Sequence, residues 1–330
     1  MDWFLDAGDD PAHKFLLMLV AIALFVAVMG LILFVVDRPR NAPKWLVSLG
    51  FVGPAIAMLA FGLLYPGLDT IKNSFYARTS SDFIGFDNYA KAFTEPQFLI
   101  VLGNTALWVL VAPITATFFG LVYAVVVDKS RFEKLAKGLV FTPMAISMVG
   151  ASIIWKFVYE YKPAQGTVQQ TGLLNQVIVW FGGDPVQFLL QRPLNSFLLM
   201  VVLIWIQTGF AMTLLSASIR AIPDDIVEAA RLDGLSGFGM FWRITIPSIR
   251  PALVVVLTTI AMTTLKSFDI VRTMTAGRYG TSIVANEFYE QSFRQNNAGL
   301  GAALAVLLFI IVIPVIVYNV RQMRLAEEVR

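Results

Sequence analysis

Residues that could perform chemistry are scarce in this sequence. The chain of 330 residues has no Cys and a single His, His13, which excludes thiolate nucleophiles, disulfides and metal centres rich in Cys or His. It contains no G-x-x-x-x-G-K-[ST] loop to hold the phosphates of ATP. Its apolar segments offer no Ser-His constellation and no paired carboxylates. We therefore expect a non-catalytic chain that binds no cofactor and no metal ion itself.

Polar residues that could bind a solute lie in two otherwise apolar segments. Gln207 and Phe210 are one helical turn apart, and Thr263, Thr264 and Ser267 share a helical face. Sugars are bound by this combination, because amides and hydroxyls match their hydroxyl groups and aromatic rings match their apolar faces. Hydroxyls at this spacing also often donate to the carbonyl of the preceding turn, so a purely structural role stays open.

Three charged residues, Lys266, Asp269 and Arg272, follow the second of these segments. Charges are costly inside a membrane and need an explanation. Their spacing of three lets Asp269 pair with either cation along one helix, near the membrane boundary where long side chains reach water. Alternatively, the helix is broken at this point and the charges border a solvated cavity.

The composition indicates a membrane protein. Hydrophobic residues make up 57% of the chain and charged residues 14%, whereas soluble domains have about 25% charged residues. Mean hydropathy is +0.72. These values exclude a soluble enzyme, a nucleic-acid binder and a disordered regulator, even though the pI is near 9.1. Lipid is therefore an expected partner and nucleic acid is not.

Seven apolar runs are candidates for membrane-spanning helices, each of which needs about 20 residues. The runs cover residues 15–36, 45–68, 98–127, 138–155, 193–219, 251–265 and 296–320. The first is too long for a signal peptide and follows an acidic stretch, so we expect it to be retained. The predicted fold is an all-α membrane protein with about seven transmembrane helices.

The distribution of Lys and Arg predicts how these helices are oriented. Seven spans place the termini on opposite sides, and one set of loops, including the C-terminus, contains fourteen Lys and Arg against eight in the other. Positively charged loops stay in the cytoplasm. We therefore expect the N-terminus outside and the C-terminus in the cytoplasm. On the outer side, residues 171–181 have apolar positions at helical spacing and are expected to lie along the membrane surface.

The cytoplasmic loop at residues 220–250 is unusually long. Pro223, followed by two Asp residues, starts a helix that Gly234 can end in the left-handed conformation. Ser236 is then positioned to cap a second short helix through about Ile244, and Pro247 is expected to break the chain before the sixth span. Such a helix-turn-helix is by itself either a connector or a docking element.

The spacing within this loop resembles the EAA motif of ATP-binding-cassette importer permeases. The matching residues are Glu228, Ala229, Ala230, Gly234, Ile244 and Pro247, with Ile246 where the motif usually has Leu. Residues 83–98, 172–175, 265–270 and 299–309 (FIGFDNYAKAFTEPQF, GLLN, LKSFDI, GLGAALAVLLF) are similar to carbohydrate permeases related to the larger membrane subunit of the maltose transporter. Over residues 45–320, the chain looks most like an alpha-glucoside permease.

This resemblance implies an organisation and a set of functional residues. Residues 45–330 would form the permease domain, with the loop at 220–250 coupling it to an ATPase, and residues 1–44 would hold the outer N-terminus and an added span of undefined role. Glu228 would pair with a basic group on the ATPase, and Gly234 would permit the bend. The family's solute site, transferred position by position, falls on Ile206, Gln207, Phe210, Thr263, Thr264 and Ser267, several of which differ in type from the maltose permease.

The resemblance also implies partners and a location. These are a second permease subunit forming a heterodimer, two ATPase subunits that bind ATP and Mg, an extracytoplasmic solute-binding protein, and a sugar, at a bacterial plasma (inner) membrane. The alternative function is an ion-coupled secondary carrier or channel that works without an ATPase. Such proteins usually place an ionisable residue on the ion path and often contain inverted repeats. No similarity between the two halves of this sequence supports that alternative.

Overall fold

The fold is built from helices. The computed structural model of the protein describes residues 11–37, 44–79, 82–127, 131–163 and 170–328. Within these ranges, the named elements are all helical, and β-type pairing is limited to an isolated bridge between Tyr76 and Phe83. The predicted all-α membrane fold is confirmed. The chain divides into two compact units, Met1–Asp69 and Thr70–Arg330.

The first unit contains the two N-terminal apolar helices. Helix α1 spans Pro11–Asp37, and α2 spans Lys44–Leu59 before a π-helical turn at Ala60–Leu64 leads into α3, Tyr65–Asn73. The described side chains of α1 and α2 include large apolar groups that are exposed on all sides, as expected for helices surrounded by lipid. The acidic N-terminus and the basic turn with Arg38 and Arg40, which the orientation argument used, lie outside the described residues.

The second unit contains eleven further helices among the described residues. They are α4 (Asp87–Thr94), α5 (Pro96–Val127), α6 (Glu133–Phe141), α7 (Met148–Val158), α8 (Leu173–Trp180), α9 (Leu194–Arg220), α10 (Asp224–Leu232), α11 (Gly237–Leu265), α12 (Phe268–Met274), α13 (Val284–Tyr289) and α14 (Ala298–Glu328). A π-helical turn, Phe241–Thr245, lies inside α11, and another, Glu290–Arg294, follows α13. Residues 171–181, predicted to be helical, contain α8.

Five helical segments in the described residues are long and apolar enough to cross a membrane. They are Phe51–Asn73, Pro96–Val127, Leu194–Arg220, Gly237–Leu265 and Ala298–Gln322. The bent pair described next brings the number to six, and a shorter apolar segment, Lys14–Gly30, lies in α1. Each of the seven predicted runs coincides with one of these helices.

The fourth predicted span is a broken one. Helices α6 and α7 meet at an angle of 105° across a 3-10 turn, Thr142–Ala145. Pro143 in that turn has no backbone N–H to continue an α-helix. Ser147 then starts α7, because its hydroxyl accepts a hydrogen bond from the Gly150 amide at 3.1 Å. The apolar run predicted the presence of this span but not its bend.

Close helix packing holds the second unit together. Gly120 on α5 faces Ala211 on α9, where an added Cβ would clash. Gly299 and Gly301 at the start of α14 are equally confined, by the Tyr76 carbonyl and the Ser292 side chain. Small residues let membrane helices approach closely, which explains why glycine occupies these positions.

Candidate functional site

The first helix of the loop at 220–250 begins where the sequence predicted. Pro223 occupies the position before α10, and Asp224 and Asp225 lie in its first turn. Both carboxylates favour the positive end of the helix dipole.

The same helix ends in a complete Schellman motif. Gly234 has a φ of +84°, its amide donates to the Arg231 carbonyl at 3.0 Å, and the Leu235 amide donates to the Ala230 carbonyl at 2.9 Å. No heavy atom lies within 4 Å of a Cβ added at Gly234. Glycine is therefore required here for its backbone conformation and not for space.

The exposed surface of this loop carries both charged and large apolar side chains. Glu228 and Ala229 are exposed, whereas Ala230 is buried against the rest of the protein. Leu232 is 90% exposed and Phe238 78% exposed. Glu228 forms no ion pair with any residue that the structure describes. Large apolar groups beside an unpaired carboxylate form a surface that nothing in the described chain covers.

The chain after this bend differs from the prediction. Ser236 occupies the N-cap position of α11, but its side chain accepts no hydrogen bond there. The predicted break at Pro247 is wrong, because α11 continues without interruption from Gly237 to Leu265. A π-helical turn directly before Ile246 widens the helix where the proline lacks its N–H. Ile244 is half-buried and Pro247 is exposed.

The first predicted solute-binding pair lies on α9, which packs against α11. Phe210 is half-buried and joins an apolar cluster with Ala211 and Ile260. Gln207 is also half-buried, and its amide forms no hydrogen bond within the described residues. Partly buried amides are usually hydrogen-bonded, and that of Gln207 is not. Its N–H donors and its carbonyl acceptor are therefore available to a ligand. Ile206, in contrast, is buried in the protein core.

The three hydroxyls on α11 and just after it donate within their own chain segment. Thr263 donates to the Thr259 carbonyl at 3.0 Å, Thr264 to Ile260 at 2.8 Å and Ser267 to Thr263 at 3.0 Å. This is the structural role that the spacing left open. Thr264 and Ser267 are fully buried, while Thr263 remains partly exposed. Of the six predicted positions, Gln207, Phe210 and Thr263 are therefore the ones with exposed surface.

The charges beyond this face lie at a break in the sixth span. Helix α11 ends at Leu265, and α12 begins at Phe268. Arg272 pairs with Glu290 at 2.9 Å and lies 4.8 Å from the ring centre of Tyr289, instead of pairing with Asp269 along its own helix. Lys266 is exposed and Asp269 half-exposed, and neither forms an ion pair within the described ranges. The broken-helix alternative thus describes the backbone here.

Two asparagines hold the segment after this break. Asn104 donates to the carbonyls of Gly280 and Ser282 at 2.7 and 2.9 Å, and Asn195 donates to that of Tyr279 at 3.0 Å. Tyr279 has a φ of +58°, which a tyrosine adopts when its surroundings impose it. Sequence reasoning missed these contacts, because both asparagines are more than 80 residues away from the turn along the chain.

The loop after α7 contains a carboxyl group with a lowered pKa, Glu160. The Glu160 carboxylate pairs with the Lys162 ammonium at 3.0 Å and accepts a hydrogen bond from Thr171 at 2.9 Å. These interactions, with Lys162 the larger, lower the pKa of Glu160 from its ordinary value. Asn175 ties the same loop together by donating to the Glu160 carbonyl at 2.7 Å.

Comparison with known proteins identifies the family. Residues 116–324 match the model for "Binding-protein-dependent transport system inner membrane component". The osmoprotective compounds uptake permease protein GgtC of Synechocystis sp. is 44% identical over 280 residues, which are 85% of this chain and 100% of the relative. The alpha-glucoside transport system permease protein AglF of Rhizobium meliloti is 42% identical over 272 residues, 82% of this chain and 80% of the relative.

A solved structure shares the fold. A chain of a bacterial ABC transporter involved in the import of the acidic polysaccharide alginate superimposes with a TM-score of 0.72 at 22% identity, covering 85% of this chain and 96% of that one. The resemblance predicted from the EAA spacing and the carbohydrate-permease segments is confirmed by the family match and by the alpha-glucoside relative. The chain is a multi-pass inner-membrane protein and belongs to the family of binding-protein-dependent transport system inner membrane components.

Proposed function

We propose that this chain is the permease subunit of an ATP-driven, binding-protein-dependent importer of alpha-glucosides or a related oligosaccharide. The observation that carries the proposal is the uncovered surface of α10, where Glu228 stands beside exposed apolar groups on a helix fixed by a Schellman bend. A surface of this kind needs a protein partner. The name of the alpha-glucoside relative supplies the solute class.

In this proposal, the loop at 220–250 docks an ATPase. Glu228 pairs with a basic group there, and exposed Ala229 lets the partner's backbone approach closely. Gly234 fixes the direction of α10, and Ile244 and Pro247 lie on the helix that carries movement towards the membrane. Because α11 runs unbroken from this loop to Thr263 and Thr264, a displacement at the loop reaches these two residues through one helix.

The proposed assembly combines this chain with protein partners, nucleotide, sugar and lipid. A second permease completes a heterodimeric pathway, two ATPase subunits hold ATP and Mg, an extracytoplasmic binding protein delivers the sugar, and lipid surrounds the helices. Closure of the ATPases opens the pathway outward, and hydrolysis returns it inward. Each step requires that nucleotide or sugar bind one state more tightly than the other.

Within the pathway, we place the sugar against Gln207, Phe210 and Thr263. The Gln207 amide supplies donors and an acceptor, and Phe210 supplies an apolar ring. Ile206, Thr264 and Ser267 support these groups from behind, since they are buried. Lys266 and Asp269 border the outer end of the same path, and Arg272 holds its wall through Glu290.

The proposed topology places the N-terminus outside and the C-terminus in the cytoplasm. It rests on the excess of Lys and Arg in alternate loops. The permease domain is then residues 45–330, and residues 1–44 contribute an added first span.

The test is radiolabelled uptake into membrane vesicles that contain the chain with its partner permease, ATPase and binding protein. Sucrose, maltose and trehalose are compared with and without internal ATP, and with the ion gradient collapsed. ATP-dependent uptake of an alpha-glucoside that survives loss of the gradient is expected. Uptake that ignores ATP and fails when the gradient collapses would instead establish the ion-coupled carrier.

A further inference from the structure

A cleft of about 420 Å³ lies between α6 and the C-terminal turns of α9. Its lining includes Lys137, Gly138, Phe141, Thr213, Ser216 and Arg220. None of these residues belongs to the solute site proposed above, and Arg220, the first residue of the loop at 220–250, is the one that the cleft shares with that loop. The volume is in the range of small-molecule sites, so the cleft needs its own explanation.

Two cations converge at one end of this cleft. The Lys137 ammonium donates to the Ser216 hydroxyl at 2.6 Å and pairs with the Glu133 carboxylate at 2.9 Å. The Arg220 guanidinium pairs with the same carboxylate oxygen. The Lys137 side chain is only 23% exposed, which fixes its charge at the cleft wall. Glu133 thus positions both cations beside the opening.

The chain around the cleft has an excess of positive charge. Residues 131–137 contain Arg131, Lys134 and Lys137 but only Glu133 as an acid, and Arg220 adds another cation. Excess charge of one sign at a concave site raises the local concentration of the opposite ion. Basic pockets between membrane helices are a known setting for anionic lipid headgroups.

The rest of the cleft suits an acyl chain. Phe141 is an exposed aromatic ring, and Gly138 leaves open space because no heavy atom lies within 4 Å of a Cβ added there. The Thr213 hydroxyl donates to the Gly209 carbonyl at 2.9 Å, so the positive charge at this end of the cleft comes from Lys137 and Arg220. Arg220 is the last residue of a membrane-crossing helix, which is the depth of the headgroups.

We propose that this cleft binds an anionic phospholipid, with the headgroup phosphate at Lys137 and Arg220 and an acyl chain along Phe141. Placing the lipid in the cytoplasmic leaflet rests on the topology of the proposed function. The binding itself does not, because the cleft and its charges are independent of the transported solute. Bound lipid would join α6 to the helix that leads directly into the coupling loop.

The test measures lipid binding to the purified full chain, or to its complex, in a neutral detergent. Phosphatidylglycerol and phosphatidylcholine are titrated separately, and retained lipid is counted by native mass spectrometry. Inorganic phosphate is added alone in a third arm. The variants are Lys137→Gln and Arg220→Gln. Lys134→Gln is the matched control, since Lys134 is exposed on the same helix but does not line the cleft.

The wild type should retain phosphatidylglycerol in preference to phosphatidylcholine. Either cleft variant should weaken that binding about tenfold, as expected for the loss of one charge-assisted hydrogen bond, whereas Lys134→Gln should not. A charge-conserving Lys137→Arg variant, which separates misfolding from charge loss, should keep the lipid. Equal effects of Lys134→Gln and Lys137→Gln, absence of headgroup preference, or displacement of the lipid by millimolar phosphate would each overturn the proposal. Sugar uptake in the vesicle assay is scored separately.

Discussion

The loop at 220–250 and the segment from α12 to Glu290 differ in how they pair their polar groups. In the loop, Glu228 lies unpaired within the described residues beside exposed Leu232 and Phe238. In the segment from α12 to Glu290, Arg272 is paired with Glu290, and the backbone carbonyls of the turn accept hydrogen bonds from Asn104 and Asn195. A region that satisfies its own groups supports structure, whereas a region that leaves them open is available to a partner. Substitutions should therefore affect transport in the first region and stability in the second.

The largest effect is expected in the open loop. Glu228→Lys should reduce uptake by about a hundredfold, because reversing a charge at a protein interface replaces attraction with repulsion. The amount of protein in the membrane and its unfolding temperature should stay unchanged. Asp184→Lys, an equal charge reversal at an exposed position in an outer loop, serves as the control in the vesicle assay. Normal uptake by Glu228→Lys would remove the loop from the mechanism.

In the segment from α12 to Glu290, substitutions are expected to lower stability rather than transport. Arg272→Met leaves the Glu290 carboxylate, whose side chain is 28% exposed, without its partner, and should lower the free energy of unfolding by about 1–3 kcal/mol. Adding Glu290→Gln should recover part of that loss. Thermal unfolding in detergent measures both variants. If Arg272→Met lowers uptake with no change in stability, Arg272 belongs to the pathway instead of its wall.

The proposed solute site contains both paired and unpaired polar groups. Substitutions there should reduce transport less than Glu228→Lys does. Gln207→Ala removes an amide with unused hydrogen-bonding groups, so the uptake rate should fall about tenfold while assembly with the partners is preserved. Thr264→Val is the matched control, because the Thr264 hydroxyl is buried and donates to its own helix. Unchanged rate and sugar preference in both Gln207→Ala and Phe210→Ala would place the site elsewhere.

The bend of the loop offers a test of conformation without loss of contacts. Gly234→Ala should destabilise the Schellman turn by about 1 kcal/mol, since alanine resists the left-handed conformation and has nothing nearby to clash with. Gly234→Asn should cost less, because asparagine adopts this conformation more readily. Hydrogen exchange of the Leu235 amide reports the turn directly. Equal protection in the glycine and alanine proteins would contradict this explanation.

The smallest effect is expected on the stability of the loop after α7, at Glu160. Its pKa is lowered by hydrogen bonds from Lys162 and Thr171, so the ionised carboxylate stabilises the folded loop. That contribution is complete above the ordinary pKa of glutamate and is lost as the pH falls through the lowered value. Glu160→Gln should remove this acid-dependent loss of protection, which hydrogen exchange of residues 170–176 measures between pH 3 and pH 6. An identical pH profile in the variant would assign the dependence to another group.

Local rules explain why the loop was largely predictable from the sequence. Two Asp residues at a helix start and a glycine in the left-handed conformation act within a few residues, so α10 and the bend at Gly234 followed from spacing. The break at Pro247 was predicted by the same rules and is wrong, because a π-helical turn accommodates the proline within α11. Whether a proline breaks a helix depends on the backbone before it.

Long-range contacts explain what the sequence did not predict. The apolar runs located the membrane helices, since length and hydropathy are local properties. The Arg272–Glu290 pair and the bonds from Asn104 join residues that are distant along the chain, so neither could be inferred from spacing. The solute face is intermediate: helical periodicity placed Gln207 and Phe210 one turn apart, but burial of Thr264 and Ser267 became visible from helix packing.

Docking of an ATPase on the cytoplasmic loop is the central claim, and its most direct test is binding of the purified ATPase partner to the full permease complex. Binding is measured with the wild type, Glu228→Lys and Asp184→Lys in parallel, in detergent and without added sugar. We predict that the wild type and Asp184→Lys bind the ATPase equally and that Glu228→Lys loses about a hundredfold in affinity. Equal binding by all three proteins would contradict the claim that this loop is the docking surface.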